Sequence, residues 1–194
     1  MTATRRDEAF RTLRSTIKFA AGDGPVRSVL IVDADRSASS DSAEQVARAF
    51  GNAGDRCAFV NADFRASSSS SAGFSDLLAG SSLDDVLKTS SRDETYTIID
   101  SGTIINPDLL AGDRVTAVLE LLLERFEYVI LSTASLPEYS DAISLAPRVD
   151  ASILVVTSGK TRRPRAIEAK DALERVGARV LGIVLIETRR RLFW

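Results

Sequence analysis

The stretch VDADRSASSDSAE (32–44) joins a short β-branched run, 29–32, to residues whose apolar spacing predicts a helix over 42–52. A strand, a tight loop and a helix in that order form the unit from which parallel sheets are built. In many such domains the loop is glycine-rich and holds phosphate on the N-terminus of the helix. Here it is made of serine and carboxylate, so the fold and the chemistry have to be read separately.

Working outward, further short apolar runs at 58–61, 96–99, 128–131, 153–157 and 180–185 read as strands. They are apolar on both faces, the pattern of strands covered on each side. Helical stretches fall between them at 83–87, 107–126, 138–146 and 164–176. Pro164 suits a first helical turn and Gly177 a helix end. Ahead of them all, Phe10, Leu13, Ile17 and Ala20 or Ala21 mark an amphipathic helix over 7–21, closed by the glycines and proline of 22–25. The alternation predicts an α/β fold of three layers, a mainly parallel central sheet flanked by helices. Residues 66–72, with five consecutive serines, read as a loop. Function is expected at the carboxyl ends of the strands.

The 194 residues suit one domain, with a helix over 1–24 and a core over 25–194. A formal charge of −2 gives no reason to expect nucleic-acid binding. The single cysteine, Cys57, lies in an apolar run and reads as a buried thiol, which excludes an internal disulfide and suits a reducing cytoplasm. The absence of histidine removes Ser-His-Asp and Cys-His nucleophile systems and the usual zinc ligand sets. No apolar run reaches the ~20 residues of a membrane span, and MTATRRDEAF lacks a signal-peptide core, so a soluble cytoplasmic chain is expected.

Several segments together resemble the bacterial tyrosine kinase (BY-kinase) domain of capsular and exopolysaccharide export systems, a relative of the deviant-Walker P-loop ATPases. They are EAFRTLRSTIKF (8–19), VNADFR (60–65), GFSDLLAGSSLDDVL (73–87), SGTIINPDLLAGDR (101–114), FEYVILSTASLPEYSDAISLAPRVDASILVV (126–156) and ALERVGARVLGIVL (172–185). The resemblance implies a P-loop NTPase-like fold. In active members it implies ATP and Mg²⁺, held by a glycine-rich loop with lysine and by strand-end aspartates, with a tyrosine-rich tail as substrate.

This sequence departs from that pattern at each motif. The P-loop position, 33–42, has no glycine or lysine; the chain lacks glycine between Gly24 and Gly51 and lysine between Lys18 and Lys88. The phosphate-loop positions correspond to Ser39, Ser40 and Asp41, the second motif has Asn61 in place of its first Asp while retaining Asp63 and Arg65, Ser132 replaces the Walker B Asp, and Ile186 replaces the adenine-contacting Asn. The terminal RRRLFW has no tyrosine. ATP and Mg²⁺ are therefore not expected as cofactors, and neither catalytic nor metal-ligating residues are expected.

Asp41 and Glu44 have the spacing of a capping box that fills the helix terminus from within. Asp100 reads as a strand-ending turn residue in the place of a decoy Walker B aspartate. Asp63 has two readings, a structural one and a residual cation ligand. Glu8, Arg11 and Arg14 match the family's Glu-x2-Arg-x2-Arg assembly pattern, and equally an exposed helix face with i, i+3 ion pairs. The basic and aromatic tail could touch lipid or a partner, or remain solvated. The resulting expectation is a non-catalytic scaffold or regulator of polysaccharide export. It would work as a homo-oligomer, or with an active kinase or membrane chain-length regulator at the inner face of the membrane. The alternative is a weak or noncanonical ATPase or tyrosine kinase.

Overall fold

The computed structural model describes residues 5–20, 24–35, 41–65, 70–89, 91–92 and 95–187. Its centre is a seven-stranded sheet in the order β3-β4-β2-β5-β1-β6-β7. The strands are β1 Ser28–Asp33, β2 Cys57–Asn61, β3 Ser91–Arg92, β4 Thr97–Ile99, β5 Tyr128–Ser132, β6 Ala151–Ser158 and β7 Val180–Glu187. All pair in parallel except β3, a two-residue edge antiparallel to β4 that the sequence pattern did not predict.

The helices are α1 Arg5–Lys18, α2 Asp41–Gly51, α3 Phe74–Ala79, α4 Leu83–Thr89, α5 Arg114–Arg125, α6 Asp141–Leu145 and α7 Arg163–Arg175. Alternation along each strand feeds two apolar layers, because successive side chains point to opposite faces. Val29 and Ile31 join Phe10, Ile17, Val46 and Phe50 beneath α1 and α2. Leu30 and Val32 join Leu77, Val118, Leu122 and Leu173 beneath α3, α5 and α7. The three-layer α/β arrangement is thus the one the apolar runs called for, and α1 contributes its own buried residues to one layer.

Local chemistry explains the departures from the predicted helices. The stretch 107–126 is not one helix: a 3₁₀ turn, Pro107–Ala111, is capped by the Asn106 side chain accepting the Asp108 N–H, and Gly112 turns extended before α5 begins. Helix α6 is short and passes into a second 3₁₀ turn, Ala146–Arg148, that includes Pro147. α3 was not predicted. Gly73 precedes it and lies so close to the next loop that an added Cβ would sit 2.3 Å from the Asp100 carbonyl oxygen. The Asp76 carboxylate accepts the Gly73 N–H at 2.8 Å, the Thr103 N–H at 2.9 Å and the Thr103 hydroxyl at 2.5 Å, which ties α3 to the loop after β4. Those bonds outweigh burial and hold the Asp76 carboxyl below the usual carboxylate range.

No helix among the described residues is long and apolar enough to cross a membrane.

Candidate functional site at the carboxyl ends of the strands

The strand order brings four predicted positions to one end of one face. Asn61 pairs in register with Ser132, and Ser132 with Ile31, two residues before Asp33. Ile31, Phe59, Ile130 and Val155 all point into the α1/α2 layer. Asp33, Asn61, Ser132 and Thr157 each lie two residues further on and share that face. Ile186 also faces this layer, from edge strand β7 beyond Thr157. Asp41 is the first residue of α2, above the same end of the sheet. Ser39 and Ser40 lie outside the described residues.

Four polar atoms here lack partners among the described residues. Asp33 Oδ1, Ser42 Oγ, Ser132 Oγ and Thr157 Oγ1 are buried without a hydrogen bond. Native proteins satisfy nearly all such atoms, which makes four at one sheet end a notable concentration. Burial first, and then the negative charge of Asp35, push the Asp33 carboxyl up to about 7.

The side chains around these atoms are committed elsewhere. Asp41 forms an ion pair with Arg6 of α1 and accepts the Gln45 amide at 3.1 Å. These bonds and the nearby Arg6 and Arg48 charges outweigh burial and lower its pKa. Glu44 accepts the Tyr96 hydroxyl at 2.6 Å and pairs with Arg48 at 3.4 Å. Burial, together with donation to Glu44, pushes the Tyr96 hydroxyl up to about 12. The expected capping box is not formed among the described residues: both carboxylates turn to side chains from other positions, and Asp41 is itself the first residue of the helix.

Beyond β2, Asn61 Oδ1 accepts the Asp63 N–H and Asp63 Oδ1 accepts the Arg65 N–H, each at 3.0 Å. These successive Asx turns steer the chain off the sheet. Arg65 then reaches α6, where it pairs with Asp141 and lies 4.4 Å over the Tyr139 ring. The Asp141 side chain is 2% exposed. Neither the Arg65–Asp141 pair nor the Asp76 hub was found from the sequence, because both join residues far apart in the chain.

Asp100 follows β4, which borders β2 on the side away from β5, and its carbonyl accepts the Phe74 N–H at 2.8 Å. It belongs to the α3 turn and not to the Asp33 end of the sheet. On α1, Glu8 and Arg11 form an exposed ion pair at 3.3 Å, whereas Arg14 turns inward to donate to the Ala49 carbonyl at 3.4 Å. Cys57 is buried, as its apolar run suggested. Among the described residues no cluster of acidic or cysteine side chains could hold a metal ion.

No protein-family model matches the chain. Individual relatives do. The chain is 30% identical over 189 residues to tyrosine-protein kinase YwqD of Bacillus subtilis, covering 92% of this chain and 79% of that one. It is 27% identical over 190 residues to tyrosine-protein kinase CpsD of Streptococcus pneumoniae, covering 93% and 83%. The kinase domain of the Escherichia coli tyrosine kinase ETK superposes with a TM-score of 0.84 at 24% identity, over 97% of this chain and 78% of that one. The chimerical protein CapA2B2 gives 0.84 at 25% identity, over 94% and 85%. With its mainly parallel sheet, flanking helices and 30% identity to YwqD over 92% of its length, the chain belongs to the bacterial tyrosine-kinase family.

Proposed function

We propose that this domain is a non-catalytic member of its family, a scaffold or regulator in bacterial exopolysaccharide or capsule assembly. The observation that carries the reading is the β1–α2 junction, which lacks both glycine and lysine and leads into a helix whose first residue is Asp41. A polyphosphate needs backbone N–H groups and a cation at that terminus, and Mg²⁺ needs carboxylates at the neighbouring strand ends. The residues present do not fit a magnesium nucleotide. Asp33 carries a carboxyl that already resists ionisation, Asn61 and Ser132 are uncharged, and the nearby cations Arg6 and Arg65 are paired with Asp41 and Asp141. Ile186 offers the adenine edge no hydrogen bond.

The pathway follows from the family, which the resemblance connects with polysaccharide export. Association with like chains or a membrane-anchored partner is supported by the exposed Glu8–Arg11 pair on α1 and by the CapA2B2 chimera among the structural relatives. Light scattering on the wild type and on Arg11→Ala/Arg14→Ala tests this: an assembly lost in the variant supports it, and identical monomers refute it. The competing reading, weak ATP turnover through Asp63 and Arg65, requires Arg65 to leave Asp141. ATP hydrolysis that disappears in Asp63→Ala would favour it. Titration calorimetry with Mg-ATP tests the main reading, for which no micromolar binding is expected.

A further inference from the structure

We propose that β7 is a self-association edge: two copies of this chain join through their β7 strands, antiparallel about a two-fold axis, into one continuous sheet.

Among the described residues β7 stands at the end of the sheet order, paired on one side with β6. Its sequence, VLGIVLIE, is nevertheless apolar on both faces up to Glu187, the pattern of an interior strand. It carries no proline and no lysine, the residues that usually blunt an edge. The irregularity in its pairing with β6 lies at the amino end, between Val180 and Gly182, and leaves 182–187 regular. Val184 and Ile186 face the α1 layer, so Ile183 and Leu185 face the α7 layer, where they are 54% and 60% exposed.

The strand fits a second copy of itself in one register. Residues directly opposite in an antiparallel pair share a face, so the two-fold must pass through a pair of identical residues. Centred on Val184, it sets Ile183 against the partner's Leu185 twice on the α7 face, and Gly182 against the partner's Ile186 twice on the α1 face. Nothing lies within 4 Å of a Cβ built on Gly182, so the larger side chain has room. On that face Val184 and Ile186 wall, with Ala9 and Leu13 of α1, an apolar groove of 1010 Å³ that the partner's Ile186 enters. Centring one residue later sets Glu187 against Ile183, and one residue earlier draws in the irregular end.

Helix α7 supplies the charge complementarity that points to a second copy. Arg165 pairs at 3.3 Å with Glu138, which follows β5, so that flank of α7 is turned away from β7. Arg163, Ile167, Lys170 and Glu174, at i, i+4, i+7 and i+11, form a stripe on the other flank, with Ile167 48% exposed. α7 returns from the carboxyl end of β6 to the amino end of β7, so Arg163 lies at one end of the edge and Glu174 at the other. The two-fold runs the two stripes past each other head to tail. Arg163 then meets the partner's Glu174, and Glu174 the partner's Arg163, as an isologous interface requires. Lys170 already bonds Glu174 at 2.5 Å within its own helix, so each Arg163 joins an existing ion pair.

Sedimentation equilibrium in the Arg11→Ala/Arg14→Ala background, which removes the α1 association proposed above, isolates this edge. The protein should pass from monomer to dimer as its concentration rises through the micromolar range. Ile183→Lys, at an exposed position, should leave it monomeric with unchanged far-ultraviolet circular dichroism. Arg163→Glu and Glu174→Arg should each weaken the dimer severalfold, and an equimolar mixture of the two should restore it, because opposite charges then meet at both contacts. Three results would overturn the proposal: a monomer at every concentration, a dimer that survives Ile183→Lys, or a mixture that associates no more tightly than either charge variant alone.

Discussion

Replacing Asp33 with Asn should stabilise the protein in a strongly pH-dependent way. The carboxyl is held at about 7 against an ordinary 3.8, by burial first and the Asp35 charge second, and its Oδ1 has no hydrogen-bond partner. The sign follows from linkage: an acid whose folded pKa is raised leaves stability intact below the unfolded value and removes it as pH rises toward the folded value. A gap of about 3 units corresponds to about 4 kcal/mol of ionisation cost in full at pH 8, of which about 1.6 kcal/mol is already present at pH 5. Urea unfolding of wild type and Asp33→Asn at both pH values isolates this charge, because packing changes caused by the amide cancel in the difference. The variant's advantage should be about 2–3 kcal/mol larger at pH 8 than at pH 5. Equal advantages at the two pH values would mean that Asp33 titrates as an ordinary carboxylate and would refute the reasoning.

Arg65→Ala should cost about 3 kcal/mol in urea unfolding, because it leaves the buried Asp141 carboxylate unpaired, and adding Asp141→Asn should recover part of the loss. Asp76→Ala should cost about 2–3 kcal/mol by stranding the Gly73 and Thr103 donors. Because the Asp76 pKa is lowered, its stabilisation is present above the ordinary carboxylate range and lost as pH falls through the folded value; acid unfolding should be shallower in the variant. Gly73→Ala should cost more than about 3 kcal/mol, measured by thermal or urea unfolding, since its Cβ would meet the Asp100 carbonyl.

The layers and the position of the site were legible in the sequence because strands buried on both faces write continuous apolar runs. Val29–Val32 and the run ending at Leu131 locate Asp33 and Ser132 without any knowledge of pairing. The order of strands was not legible from those runs, and it is the order that sets Ser132 between Asn61 and Asp33 and takes Asp100 away from them. Side-chain partners were the least legible. Asp41 and Glu44 have capping-box spacing, yet Arg6 and Tyr96 approach from other elements and take their carboxylates. Arg65 could be aligned with a motif, but its pairing with Asp141 depends on where α6 packs. Helix 107–126 was misread for a local reason, an extended Gly112 after a proline-led turn.

The most direct measurement is isothermal titration of the purified chain with Mg-ATP at pH 8, where Asp33 is mostly ionised and the site most acidic. A non-catalytic domain with a glycine- and lysine-free β1–α2 junction should give no saturable heat in the micromolar range. A micromolar dissociation constant, lost in Asp63→Ala, would contradict it and restore a nucleotide to the carboxyl ends of these strands.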